Sequence, residues 1–210
     1  MSRKTMNLLL LGFLVIIAGC SNTLNLQVDS EVPTPLASRL PLSLGVYYND
    51  NFLNYVFTEK SEVREDWTID NRTSRMTLFN DILPSMFSSV NKVDSPNSKS
   101  TDIDIVLEPE VLDMQVALPE ETHSDMFEAW IKYGIKIYSS SGNMITEWQI
   151  TGYGKTHTAM FKNKENGLNT AISMALRDLG AKMVLDFSNI PEMKTWLSSN
   201  IDCIQYPNLC

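Results

Sequence analysis

Few residues in this chain have the types and spacing that chemistry requires. Gly152-Tyr153-Gly154-Lys155-Thr156 holds a Gly-Lys-Thr triplet at the end of an alternating apolar run. A loop that cradles phosphate needs another Gly five places before its second Gly, and Gln149 stands there. The two glycines therefore read as a bulge or turn leaving a hairpin. His123 and His157 are the only histidines. His123 lies among Glu120, Glu121 and Asp125, a grouping able to hold a cation, yet one acidic loop of this kind reads as solvated surface. The pairs Glu108/Glu110 and Asp102/Asp104 alternate along strands, which puts each pair on one face, where their reading is solubility. No Ser sits in a Gly-x-Ser-x-Gly setting, and nothing joins a nucleophile, a base and an oxyanion site. No catalytic, metal-binding or cofactor-binding residue is assigned.

The three cysteines are more informative. Arg3 and Lys4 precede an apolar run from Leu8 to Ala18 that closes on Ile17-Ala18-Gly19-Cys20. A charged start, an apolar stretch of this length and small residues before a cut describe a secretory signal. The run is about half of the roughly 20 residues a membrane-spanning helix needs. Ile-Ala-Gly-Cys resembles the lipobox of bacterial lipoproteins. That resemblance implies lipidation of Cys20, cleavage before it and acylation of the new amino terminus. Ser21, rather than Asp, follows Cys20, and by resemblance to the enteric sorting rule the address is the outer membrane, facing the periplasm. Cys203 and Cys210 remain, seven positions apart at the C-terminus. In an oxidising periplasm such a pair can close a disulfide, the alternatives being free thiols or a metal pair, for which no second Cys or His cluster offers support. A ring this small stabilises by about 2–3 kcal/mol at most in the chain-entropy model.

Removing residues 1–19 leaves 191 residues, enough for one domain with a real core. Two of the 17 basic residues leave with the signal, so 15 face 25 acidic ones and the formal charge is −10. Such acidity gives no footprint for nucleic acid, and attachment to membrane rests on the acyl chains. The expected organisation is a signal over 1–19, a lipidated Cys and flexible tether over 20–40, and a single periplasmic domain over 41–210.

Alternation of Leu42, Leu44, Val46 and Tyr48 predicts a strand, with a turn at Asn49-Asp50-Asn51. Residues 52–72 read as either strand or loop. Leu78, Phe79, Ile82, Leu83, Met86, Phe87 and Val90 make an apolar stripe that predicts a helix over 74–91, kinked by Pro84. Ile103, Ile105 and Leu107 predict a strand, with Pro109 marking an edge or a bulge. A hairpin follows over roughly 131–153. The last long helix covers about 166–187 on a stripe of Leu168, Ala171, Ile172, Ala175, Leu176, Leu179 and Met183. Gly180 weakens it, Pro191 stops it, and Trp196-Leu197 docks a terminal segment. This order predicts an α+β two-layer sandwich, a mostly antiparallel sheet with two main helices on one face. Trp130, Trp148, Tyr153, Tyr47 and Trp67 cannot all occupy one core face, so some of them are candidates for a partner surface.

Leu44-Gly45-Val46-Tyr47-Tyr48, Leu107-Glu108-Pro109, Trp130-Ile131-Lys132-Tyr133, Thr151-Gly152-Tyr153-Gly154-Lys155, Gly167-Leu168-Asn169 and Ala175-Leu176-Arg177-Asp178 together resemble a family of uncharacterised proteobacterial lipoproteins. The resemblance implies no activity and no catalytic residues. More loosely, the element order is similar to small α/β lipoproteins that dock on envelope machines. The functional expectation is a non-enzymatic accessory of the envelope, held to outer-membrane lipid through Cys20 and binding an envelope protein. The alternatives are a module that handles lipid or lipopolysaccharide, and an envelope enzyme with an acidic/His site at His123.

Overall fold

The structure is a computed structural model that describes residues 23–27, 39–60, 66–97, 102–161, 163–202 and 205. The strands are β1 Thr23–Gln27, β2 Leu40–Val46, β3 Phe57–Glu59, β4 Asp66–Asp70, β5 Phe87–Lys92, β6 Ile105–Ala117, β7 Met126–Ser139 and β8 Met144–His157. The helices are α1 Asp50–Asn54, α2 Arg72–Met86, α3 Pro119–Thr122, α4 Lys164–Asp186 and α5 Pro191–Asn200. One sheet has the order β5-β2-β6-β7-β8, and a smaller one has the order β1-β4-β3. Helices α2 and α4 pack on a single face of the larger sheet, so the chain is an α+β two-layer sandwich. Its long ladders, β6–β7 and β7–β8, are antiparallel as expected, whereas β2 pairs parallel with both of its neighbours.

Alternation decides which side chains meet the helices. Leu44, Ile105, Leu107, Val111, Ile131, Tyr133, Ile135 and Ile150 point inward and are buried against Leu78, Phe79, Ile82, Leu168, Ile172, Leu176 and Leu179. An aromatic nest ties the layers together. Phe52 stacks on Tyr48 at 5.0 Å between centroids and meets Phe79 edge-on at 5.1 Å, and Phe79 reaches Tyr133 at 5.8 Å.

Several local expectations change. The turn at 49–51 is instead the start of α1: Asn49 Oδ1 accepts from Phe52 N–H at 2.8 Å, a side-chain N-cap. Helix α2 ends at Met86 rather than running to 91, because Pro84 brings no donor to the last turn and Phe87–Lys92 pairs with β2 instead. Residues 52–72 supply β3 and β4, whose Trp67 and Ile69 join the core. Strand β6 runs through Pro109 and bulges only between Val111 and Asp113. Val111 N–H, on the edge of β6 turned away from β7, bonds Asn51 Oδ1 at 3.2 Å. By alternation the nitrogen of Pro109 points to that same edge, so the β6–β7 ladder loses nothing. Pro191 does not merely stop a helix. It occupies the first turn of α5, where a missing N–H costs nothing. Within the expected tether, Thr23–Gln27 forms β1 and pairs parallel with β4.

Two glycines explain how closely the layers meet. A Cβ on Gly152 would lie 2.1 Å from the Ala175 carbonyl oxygen, and one on Gly154 would lie 2.0 Å from that of Ala171. Both residues sit inside β8 and not in a bulge or turn, and their missing side chains let the α4 backbone rest on the strand. Gly180, expected to be a weak point, is where α2 touches α4: a Cβ there would meet Ile82 Cδ1 at 2.2 Å.

Candidate functional site

Cys20, Cys203 and Cys210 lie outside the described residues. The acidic loop around His123 is organised by the backbone. Glu121 Oε2 accepts from Leu118 N–H at 3.1 Å, so the third residue of α3 reaches back to the N-cap backbone, and His123 ends that turn in the left-handed region at φ 55°. Glu120, Glu121, His123 and Asp125 are exposed, and the described residues form no group of three ligands able to hold a metal ion. In the Gly-Lys-Thr triplet Lys155 is exposed, while Thr156 is buried with its hydroxyl near Met160 Sδ at 4.0 Å.

The carboxylate pair on β6 does more than solubilise. Glu108 is buried, accepting from Asn49 Nδ2 at 2.9 Å and from the Tyr138 hydroxyl at 3.0 Å. Burial, and next the bond to Glu108, push Tyr138 up to about 12. Glu110 pairs with Lys136 at 3.1 Å, and that hydrogen bond raises the lysine above its ordinary value.

A second polar cluster is sealed in the core, and nothing in the sequence pattern marked it. Arg75 is completely buried. Its guanidinium bonds Asn71 Oδ1, donates to the Tyr55 carbonyl at 3.3 Å, and lies over the Phe52 ring at 5.2 Å and the Tyr55 ring at 5.9 Å. Burial lowers the arginine and raises the neighbouring Tyr133. A charge at a helical stripe's edge looks the same in sequence whether it snorkels to water or turns inward.

The aromatic residues part company as expected. Trp67 is in the core, Trp148 is half-buried against it, and Tyr47 packs with Val93, Ile103, Val106 and Tyr138 in a small cluster on the sheet's other face. Trp130 and Tyr153 face away from the helices, opposite one another in the β7–β8 ladder, with ring centroids 5.2 Å apart. Register places them in a grid of three rows across β6, β7 and β8: Asp113, Lys132 and Thr151, then Gln115, Trp130 and Tyr153, then Ala117, Glu128 and Lys155. The Tyr153 hydroxyl donates to Glu128 Oε1, which pushes Tyr153 up to about 12. Gln115 Nε2 donates to Asp113 Oδ2 at 2.9 Å. Asp113, Gln115, Trp130, Lys132 and Thr151 line a shallow hollow of about 200 Å³. This face can offer an aromatic surface framed by hydrogen-bonding groups of both signs.

No protein-family model matches the chain, and no curated protein sequence matches it significantly. Solved structures align with the chain at low identity and low TM-score. Protein XCC0632 from Xanthomonas campestris, of the DUF330 family, is 10% identical with a TM-score of 0.47, over 78% of this chain and 92% of that one. A candidate homolog of the neuraminyllactose-binding hemagglutinin from Helicobacter pylori is 10% identical with a TM-score of 0.45, over 84% and 100%. A candidate lipoprotein from Caulobacter crescentus is 12% identical with a TM-score of 0.37, over 60% and 81%. At these scores the likeness carries no argument about function.

Proposed function

We propose that this chain is a non-enzymatic lipoprotein of the bacterial outer membrane, anchored through Cys20 and facing the periplasm, whose domain binds an envelope protein through the open face of its larger sheet. One observation carries the reading. Among the described residues α2 and α4 cover one face of the sheet, while the other presents the Trp130–Tyr153 pair, its rings tilted by 31°, inside a polar frame. Large aromatic residues held in place by a rigid sheet are the usual anchors of an interface, and a polar rim around them supplies orientation. The lipobox-like Ile17-Ala18-Gly19-Cys20 supplies the address. Among the described residues no helix is long and apolar enough to cross a membrane.

Photo-crosslinkers placed at Lys132 and Thr151 on the open face, and at Glu165 and Arg177 on the exposed side of α4, test this in living cells. Crosslinks to one envelope protein from the first pair, lost on Trp130→Ala/Tyr153→Ala, are expected. Crosslinks from the α4 positions alone would refute the assignment of the face. The lipid-handling alternative has a location as well. Met144, Ile145 and Trp196 line a groove of about 520 Å³ between α5 and the start of β8. Native mass spectrometry of the purified protein decides it, since a handling module would leave the cell with lipid bound.

A further inference from the structure

We infer that the domain does not hang on a flexible tether but is held against the membrane, with the β1 end of the smaller sheet resting on the lipid surface. This rests on the lipid anchor at Cys20 proposed above. The sequence expectation placed a tether over residues 20–40. Instead, β1 begins at Thr23 and pairs parallel with β4 through the register Thr23↔Asp66, Leu24↔Trp67, Asn25↔Thr68, Leu26↔Ile69 and Gln27↔Asp70. The residues from 28 to 39 therefore join two strands of the folded body, and they do not separate that body from its anchor.

The remaining leash is three residue steps, from Cys20 to Thr23. Fully extended, three steps span at most about 10–11 Å. Strand β4 is fixed to the core through Trp67 and Ile69, both 1% exposed, so the first strand is moored to a part that cannot swing away from the body. In the antiparallel β3–β4 pair Glu59 lies opposite Trp67, which brings the end of β3 to the same end of the sheet as Thr23 and Asp66. That end is the part of the molecule facing the head groups. Two of the side chains there, Glu59 and Asp66, are acidic, so the short leash and the acyl chains hold the surface to the membrane rather than attraction to anionic lipid.

The consequence for the partner is a limit on reach. A domain of 191 residues is roughly 40 Å across, so no point on the open sheet face lies more than about 50 Å from the bilayer. The partner is bound within that distance of the membrane surface.

The test uses the full lipidated protein in vesicles of phosphatidylethanolamine and phosphatidylglycerol carrying an acceptor dye on the head group. A donor dye sits on an azidophenylalanine at Thr58, an exposed β3 position in register with Thr68 and, through it, Asn25. Inserting a 15-residue Gly/Ser segment between Asn22 and Thr23 adds about 20 Å of coil. We expect energy transfer to fall at least twofold. Leu24→Pro/Asn25→Pro, which removes two successive N–H groups pointing to opposite edges and so takes a donor from the β1–β4 ladder at unchanged chain length, lowers transfer in the same direction. Transfer unchanged by the insertion means that a slack tether already exists and overturns the inference. If mass spectrometry finds no acyl group on Cys20, the anchor reading falls on its own, separately from the leash.

Discussion

Replacing Gly154 with Ala tests the packing of α4 on β8 most sharply. The new Cβ would sit 2.0 Å from the Ala171 carbonyl oxygen, 2.4 Å from Ala175 N and 2.8 Å from Met174 Cβ. The first two are helix backbone, so no rotamer change relieves them. Restoring ordinary contact near 3.4 Å needs a shift of about 1.4 Å between strand and helix. Helix α4 has 23 residues and moves as a rod. Such a shift loosens Leu168, Ala171, Ile172, Ala175, Leu176 and Leu179 together, all of them fully buried. Overpacking typically costs 1–3 kcal/mol, and a clash with backbone belongs at the upper end, about 3 kcal/mol. Gly134→Ala is the control in the same sheet. The three atoms nearest its Cβ all belong to the Leu112 side chain, the first at 3.3 Å, and Leu112 is exposed enough to turn aside. Urea unfolding of the mature domain from Ser21 onward measures both variants. A Gly154→Ala cost within about 0.5 kcal/mol of Gly134→Ala would refute the close contact and the role given to these glycines.

Four further outcomes are expected, three from the structure and one from the cysteine pair at the C-terminus. Leu176→Ala should cost 2–5 kcal/mol in that assay, because Leu176 is fully buried on α4, while exposed Arg177→Ala should stay within about 0.5 kcal/mol. Strand β8 is a sheet edge, and α4 blocks part of it: Tyr153 N–H donates to Asp178 Oδ2 at 2.9 Å and Lys182 Nζ donates to the Thr151 carbonyl at 2.8 Å. Asp178→Ala/Lys182→Ala should therefore promote edge-to-edge association, seen as a rise in mass by light scattering. Tyr153 is raised to about 12 by its bond to Glu128. A raised value means the folded state holds the proton longer, so this contribution to stability is complete below pH 10 and fades as pH climbs through about 12; Glu128→Gln should return the phenol titration, followed by ultraviolet absorbance, toward 10. Cys203 and Cys210 in protein exported by its host should resist alkylation until reduced, and full labelling without reductant would reject the disulfide.

The parts of the fold set by side-chain periodicity were legible in the sequence. The stripe from Leu168 to Met183 and the alternation through Ile131 to Ile137 each report which face is buried, and the structure follows both. Boundaries and partners were less legible, for identifiable reasons. Phe87 and Val90 extend the helical stripe of α2 at correct spacing, yet they belong to β5, because a stripe cannot say that β2 offers a free edge alongside. In Thr23–Gln27 the alternation of Leu24 and Leu26 with polar residues lasts only five residues, too short to mark a strand until its pairing with β4 is seen. Gly152 and Gly154 suggested local backbone freedom, whereas their use is approach by a helix about 20 residues away in sequence. Of the candidate surface, the separation of the aromatic residues was foreseen. The grid around Trp130 and Tyr153 depends on strand register, including the bulge at Val111/Asp113 that turns Asp113 and Gln115 outward.

The chain sorts its polar chemistry onto two sides of one sheet, and the sorting bears on where binding energy can arise. Arg75 and Tyr133 lie beneath the helices, Arg75 held between Asn71, the Tyr55 carbonyl and two aromatic rings, and both are fully buried. They cannot meet a ligand without unfolding. Arg75 binds the segment after α1 to α2, and its removal would leave the Asn71 side chain and the Tyr55 carbonyl without these bonds in the core. On the open face the ionic pair Lys136–Glu110 is partly exposed at 29% and 27% of its side-chain surface, and pairs of that kind contribute at most about 1 kcal/mol. Charge on that face can orient a partner but supplies little affinity. Trp130 and Tyr153 are the groups there with enough apolar area to matter once water is expelled, and Glu128 already fixes the Tyr153 ring by its hydroxyl. An anchor already held in its bound geometry loses little rotamer freedom on binding. Affinity for a partner on this face should therefore fall far more on losing the two rings than on neutralising Lys132, Lys136 and Lys155 together.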